Sequence, residues 1–174
     1  ITTLVPYICQ FLSTEDQRFL RQVADRLKKT LTFLPKEQHG FGICHADLVL
    51  SNVRMKKDGI VTLFDFGETQ KIWRSFEVAV FFWSLQHRFE EEVQAPWNAF
   101  LEGYRSVRNL PENLDEQLPI MLILRQISFL GGNAATLPLR LGTEPFESQN
   151  SFFPKAVEQL RLYVEQAGQL LLGD

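Results

Sequence analysis

The chain has 174 residues, of which 45% are hydrophobic and 22% are charged, and its formal net charge is −3 at pH 7. This length fits a single domain over residues 1–174, and the apolar content excludes a disordered chain. The negative charge argues against a general nucleic-acid-binding protein, because affinity for a phosphate backbone normally requires a clustered basic surface.

The cysteine count and the lengths of the apolar runs indicate where in the cell the protein is located. Cys9 and Cys44 are too few for a disulfide framework, which favours a reducing, cytoplasmic location. The longest uninterrupted apolar run, 78–83, is far shorter than the ~20 residues of a membrane span, so no membrane partner is expected. The chain begins with Ile1 rather than Met, and we interpret it as a piece of a longer protein.

A long helix is predicted near the start of the chain. Ser13 followed by Glu15 and Asp16 is typical of a capped helix N-terminus. Apolar residues then recur at helical spacing until Pro35, and they are Phe19, Leu20, Val23, Leu27, Leu31 and Leu34.

A β-hairpin is predicted next. The runs 53–56 and 60–64 are separated by a turn that carries an Asp-Gly pair. Because antiparallel strands joined by a tight turn bring the chain back to its starting point, Asn52 and Asp65 are expected at the same edge of the hairpin. The loop that carries Asp47 ends at that edge as well.

The remainder of the chain is predicted to be helical. Residues 68–74 are interpreted as a loop, and Ser75 as the cap of a buried helix that runs to about Phe89. Later helices are predicted from Pro96 to about 107, over 115–130 with a stop at Gly131-Gly132, and over 153–172, with a loop over 133–151.

Three polar side chains in the central stretch suggest a metal and phosphate site. The amide of Asn52 and the carboxylate of Asp65 are hard oxygen ligands of the kind that Mg²⁺ takes alongside substrate phosphates. Asp47 lies five residues before Asn52 and is placed to accept a proton from an attacking hydroxyl. Separately, an H-x-D could be a helix cap and a D-F-G a strand end. In this order and spacing they match the layout of kinase phosphoryl transfer.

The same residues resemble the aminoglycoside phosphotransferase and choline kinase family of small-molecule kinases, within the protein-kinase-like fold. The matching segments are His45-Ala46-Asp47-Leu48-Val49-Leu50-Ser51-Asn52, Phe64-Asp65-Phe66-Gly67 and Phe76-Glu77-Val78-Ala79. The resemblance implies a mainly α fold with a small β-hairpin (α+β), namely the helical C-terminal lobe of that fold with the N-terminal β-rich lobe absent.

The resemblance also implies an activity. The full-length protein would use ATP and Mg²⁺ to transfer the γ-phosphoryl group to a hydroxyl of a small-molecule acceptor. Asp47 would be the catalytic base, Asn52 and Asp65 would hold the metal on the nucleotide, and His45 would brace the loop by bonding to the D-F-G backbone. Without its N-terminal lobe, the chain alone is expected to bind Mg-ATP poorly and to turn over little.

Departures from the family pattern, together with the missing N-terminal lobe, keep other functions open. Val49 stands where the family often has a second His, so a polar group near the transferred phosphoryl is missing. Glu77 replaces the usual Asp and is one methylene longer. The alternatives are a catalytically weak binding or regulatory module and a Ser/Thr protein kinase of the same structural class.

Overall fold

The structure, a computed structural model, describes residues 1–36, 40–89, 92–141 and 149–171. In chain order its elements are α1 (Val5–Cys9), α2 (Thr14–Phe33), β1 (Phe41–Cys44), β2 (Val53–Met55), β3 (Val61–Leu63), β4 (Gln70–Trp73), α3 (Arg74–Phe89), α4 (Gln94–Val107), α5 (Leu114–Leu141) and α6 (Gln149–Ala167).

The chain divides into two compact units. One comprises Ile1–Leu34 and Leu122–Asp174, and the other comprises Pro35–Met121. Helices dominate the described residues, and the strands form two antiparallel sheets of two strands each, β1 with β4 and β2 with β3. The prediction of one domain over 1–174 stays a prediction.

The first unit is built on α2, whose start matches the prediction. The hydroxyl of Ser13 accepts a hydrogen bond from the backbone N–H of Asp16 at 3.2 Å, which satisfies one of the donors left open at a helix N-terminus. The carboxylate of Asp16 also accepts a bond from Arg161 of α6 at 2.7 Å. The apolar stripe is buried as expected, with Leu20, Val23 and Leu27 inside the core. The five-residue helix α1 was not predicted.

The predicted helix stop at Gly131-Gly132 is wrong, because α5 continues through both glycines to Leu141. A Cβ built on Gly131 would lie 2.7 Å from the Cβ of Leu4. Glycine therefore serves close packing against Leu4 rather than termination of the helix. The predicted loop over 133–151 is corrected in the same way at both ends, since 133–141 and 149–151 are helical. Residues 142–148 lie outside the described residues.

Part of α5 has the length and composition of a membrane-spanning helix. Among the described residues, Leu114–Thr136 is the one segment that meets this test, with a mean hydropathy of 1.2 in its most apolar window. Of that window 56% is buried inside the protein, and core helices of comparable apolar content share these properties.

The second unit contains a strand that the sequence did not reveal. The segment Gln70–Trp73, predicted as loop, forms β4 and pairs antiparallel with β1, with Phe41 opposite Trp73 and Cys44 opposite Gln70. The pairing joins segments almost thirty residues apart, so no local hairpin signal announces it. This register sets the start of α3 beside the start of β1, where the N–H of Arg74 donates to the carbonyl oxygen of Gly40 at 2.9 Å.

Helix α3 is the buried helix of this unit. Val78, Ala79 and Val80 are fully buried, and the ring of Phe81 stacks on Phe100 of α4 with centroids 4.1 Å apart. The prediction that Ser75 caps this helix is wrong. Helix α3 already begins at Arg74, and the buried hydroxyl of Ser75 donates instead to the side-chain oxygen of Gln117 at 2.7 Å.

Candidate active site

The hairpin brings two of the predicted site residues to one edge. Strands β2 and β3 pair with Val53 opposite Leu63. One step further, the N–H of Phe64 donates to the carbonyl oxygen of Asn52 at 3.0 Å. Asp65 is the next residue, so the prediction that Asn52 and Asp65 share the open edge of the hairpin is confirmed.

Asp47 is tied to Asn52 by its side chain and by its backbone. The amide nitrogen of Asn52 donates to the Oδ2 and to the carbonyl oxygen of Asp47, each at 2.9 Å. The intervening loop is tightly wound, because the N–H of Val49 donates to the carbonyl oxygen of Asp47 at 2.8 Å and that of Asn52 donates to Val49 at 2.9 Å. Asn52 therefore orients the carboxylate of Asp47, and no hydrogen bond from the described residues reaches the side-chain oxygen of Asn52.

Asp65 has a backbone conformation that is rare for residues with a side chain. Its φ is 57° and its ψ is 64°, in the left-handed region, where Asp and Asn are enriched among the few non-glycine residues observed. The residue is exposed, and no hydrogen bond from the described part of the chain reaches its carboxylate. Such strained, open positions cluster at functional sites.

The loop over residues 45–52 carries Asp47 and is called the catalytic loop after the role predicted for that residue. His45 joins this loop to the strand that leads into Asp65. Its buried ring contacts the carbonyl oxygen of Phe64 through Nε2 at 2.7 Å, and its Nδ1 accepts the N–H of Asp47 at 3.3 Å. Both bonds are satisfied by the tautomer with its proton on Nε2. Both ring nitrogens are engaged in this network, so the ring of His45 ties Asp47 to the end of β3.

Glu77 holds the start of the catalytic loop from α3. Its two carboxylate oxygens accept the N–H groups of His45 at 3.0 Å and of Ala46 at 2.7 Å. Ala46 has a φ of 65°, a conformation that costs energy for alanine and persists only when its surroundings impose it. The longer side chain of Glu77 thus reaches the loop backbone.

Removing the charge of Glu77 tests this anchor. We expect Glu77→Gln to lower the free energy of unfolding by about 1–3 kcal/mol, because one amide oxygen cannot accept both N–H groups and a charged acceptor is lost. Chemical denaturation followed by circular dichroism measures the change. Glu102→Gln, an exposed change on α4, is the matched control, and equal losses in the two variants would contradict the assignment.

Ser84 is a second anchor that sequence reasoning missed. Its buried hydroxyl accepts the N–H of Leu50 at 2.7 Å. Ser84 follows Glu77 by seven residues, which is two helical turns or about 10 Å along the same face of α3. That spacing of two polar residues in the otherwise apolar stretch 76–85 was the available signal.

The donor set fits a magnesium ion that is bound together with a nucleotide. Among the described residues, no three or more His, Cys, Asp or Glu side chains come together to hold a metal by themselves, so an ion at this site would also take oxygens of the nucleotide as ligands. Asn52 and Asp65 offer one amide oxygen and one carboxylate, and Mg²⁺ is commonly held by one or two carboxylates, substrate phosphates and waters.

Comparison with known proteins identifies the type of fold and its relatives. The sequence pattern that defines the phosphotransferase enzyme family matches residues 9–110 of this chain. An uncharacterized protein of Deinococcus radiodurans is 35% identical over 132 residues, which cover 73% of this chain and 38% of the relative. The amicoumacin kinase of Bacillus subtilis is 28% identical over 127 residues, covering 67% of this chain and 37% of that protein.

Solved kinase structures share the fold. An amicoumacin kinase in complex with AMP-PNP and Ca²⁺ aligns with a TM-score of 0.72 at 19% identity, over 88% of this chain and 46% of its own. A microcompartment-associated aminopropanol kinase aligns with a TM-score of 0.67 at 18% identity, over 91% and 48%. The predicted fold class, a mainly helical lobe of the kinase-like fold with small β content, is confirmed. The chain spans less than half of these proteins.

Proposed function

Because the chain belongs to the phosphotransferase enzyme family, we propose that the full-length protein is an ATP-dependent kinase acting on a hydroxyl of a small molecule. The observation that carries the proposal is the carboxylate of Asp47, held at 2.9 Å by Asn52 at the same hairpin edge as Asp65. A base and two oxygen ligands converge there, as phosphoryl transfer requires.

Asp47 is the proposed catalytic base. It accepts the proton of the acceptor hydroxyl as the acceptor oxygen bonds to the γ-phosphorus of ATP and the bond from that phosphorus to the β,γ-bridging oxygen breaks, which releases ADP. The bond from Asn52 keeps the carboxylate in one orientation, so little reorganisation precedes the transfer. His45 and Glu77 hold the loop that carries Asp47.

Asn52 and Asp65 are the proposed ligands of Mg²⁺ on the nucleotide phosphates. The ion supplies positive charge that offsets the charge of the transferring phosphoryl group. The side-chain oxygen of Asn52 and the carboxylate of Asp65 are available for this role because neither is engaged by the described part of the protein. AMP-PNP and Ca²⁺ in the amicoumacin kinase structure support the pairing of an adenine nucleotide with a divalent cation.

The names of the relatives suggest the first acceptors to test. Aminopropanol carries a hydroxyl and an amine, and the neighbouring structure is of a kinase named for it. We therefore propose small hydroxyl compounds that bear an amine as the first class of acceptor, with neither nucleic acid nor membrane as a partner. A cytoplasmic location is also proposed, supported by Cys9 and Cys44 being free thiols.

The test is ADP release by the full-length protein with Mg-ATP and a panel of amino alcohols, aminoglycosides and polyols. Acceptor-stimulated ADP release, with a phosphomonoester signal in ³¹P NMR, is the expected result. Metal-dependent nucleotide binding without stimulated turnover would favour a binding or regulatory module, for which Val49 is the motivating residue. Phosphate transferred to protein substrates instead would favour a Ser/Thr protein kinase.

A further inference from the structure

A cavity lies beside the start of the catalytic loop, and none of Asp47, Asn52 and Asp65 lines it. Its volume is about 300 Å³, and the end of β1, the first turn of α3 and the last turns of α4 surround it. The polar side chains that line it are those of Cys44, His45, Arg74, Glu77, Tyr104 and Arg108. The proposed transfer reaction leaves this space unused.

Two guanidinium groups give the cavity its charge. Arg74 is half-buried, and its Nε is buried without a hydrogen-bond partner. Within the described residues, neither Arg74 nor Arg108 forms an ion pair. The one carboxylate in the wall belongs to Glu77, and both of its oxygens already accept N–H groups of the catalytic loop. A buried N–H group without a hydrogen-bond partner costs free energy. A ligand that accepts a hydrogen bond from Arg74 would recover that cost on binding.

The two arginines face the same small space. Burial raises the pKa of the Tyr104 hydroxyl, and Arg74 and Arg108 both act against that shift. Burial, and then the charge of Glu77, raise the pKa of the Cys44 thiol to about 11, again with both arginines opposing. Because Arg74 and Arg108 both line one space of about 300 Å³, one ligand can reach both of them.

We propose that this cavity binds a small doubly charged oxyanion, either inorganic phosphate or a small phosphomonoester, through Arg74 and Arg108. The planar fork of an arginine matches the oxygen geometry of a phosphate group, and two forks around one phosphate give charge-assisted bonds that water cannot replace. The volume is at the lower end of small-molecule pockets, which limits the ligand to a short molecule.

The apolar part of the wall decides between these two ligands. Ile43 and Val107 line the cavity and are 75% and 88% exposed, so a carbon chain on the phosphate would cover them. Burial of that surface favours the ester, whereas inorganic phosphate would use the arginines alone.

One residue, Glu77, connects the cavity to the catalytic loop. Glu77 lines the cavity and also holds the N–H groups of His45 and Ala46. A dianion beside the arginines would therefore alter the field at the residue that anchors the catalytic loop. The amide signals of His45 and Ala46 report such binding without any assay of turnover.

The test is a titration of the ¹⁵N-labelled full-length protein with sodium phosphate and with methyl phosphate, without nucleotide or Mg²⁺ and at constant ionic strength. We expect saturable shifts of the Arg74 Nε–H signal and of the two loop amides. Tighter binding of methyl phosphate assigns the ester as the ligand, and equal affinity assigns phosphate itself. Absence of saturable shifts at these signals would overturn the proposal.

Three variants locate the site. Arg74→Gln and Arg108→Gln are expected to weaken binding about tenfold or more, because each removes a charge-assisted pair. Arg108 is exposed, so its loss leaves the fold intact even if the Arg74 variant is unstable. Arg105→Gln, in the last turn of α4 just before Arg108 but outside the cavity, should change the affinity by no more than about twofold. Unchanged affinity in the Arg108 variant, or an equal loss in the Arg105 control, refutes the proposal.

Discussion

Replacing Asp47 by Asn is expected to lower kcat of the full-length protein by about 10²–10⁴-fold, the contribution usual for a positioned general base. The amide cannot accept the proton of the acceptor hydroxyl, although it keeps the size of the carboxylate. Nucleotide affinity and thermal stability should be nearly retained, since the backbone oxygen of Asp47 still accepts the bond from Asn52. Steady-state kinetics and calorimetric nucleotide titration measure the two quantities.

Asp58→Asn is the matched control for that change. Asp58 lies in the exposed turn of the hairpin, followed by Gly59 at a φ of 83°. An Asn-Gly pair suits such a turn as well as Asp-Gly does, so the control removes one carboxylate from the same unit without altering the fold. Loss of nucleotide binding in the Asp47 variant would reassign that residue to the structure of the loop.

Replacing Asp65 by Asn is expected to lower kcat/KM for Mg-ATP by about 10²–10³-fold, comparable to the removal of one group that stabilises transition-state charge. The stabilisation of the protein against heat by Mg-ATP should also disappear. Asn adopts the left-handed backbone conformation of Asp65 readily, so the variant tests the negative charge separately from backbone strain.

Thermal unfolding with and without Mg-ATP, together with turnover, gives the readout for Asp65. Asp65→Ala adds the strain of a left-handed alanine, and we expect it to unfold at a lower temperature than the Asn variant even without nucleotide. If Asp65→Asn retained the full stabilisation by Mg-ATP, the metal would have to be held elsewhere.

The parts of the site that depend on local chain geometry were predictable. A hairpin with an Asp-Gly turn returns the chain to its starting point, so the sequence alone predicts that Asn52 and Asp65 lie at the same edge. This inference rests on a short sequence separation, where few arrangements of the backbone are available.

The parts that depend on distant segments were not predictable. Strand β4 forms only because β1 lies beside it. The Gly-Gly pair predicts a helix stop, whereas the reason for glycine at position 131 is Leu4, which lies far away in the sequence. The pairing of Arg74 with Arg108 around one cavity has the same character. The signal for Ser84, its spacing of seven residues from Glu77, acquires a meaning only once Glu77 is known to face the loop.

The two anchors on α3 have a consequence for how this site could be controlled. Because Glu77 and Ser84 hold the loop at two points about 10 Å apart on one rigid helix, the loop is shaped before any ligand arrives. It therefore has little freedom to act as a gate of its own. A change in the shape of the loop would therefore require α3 to shift or to unwind at one of the two anchors.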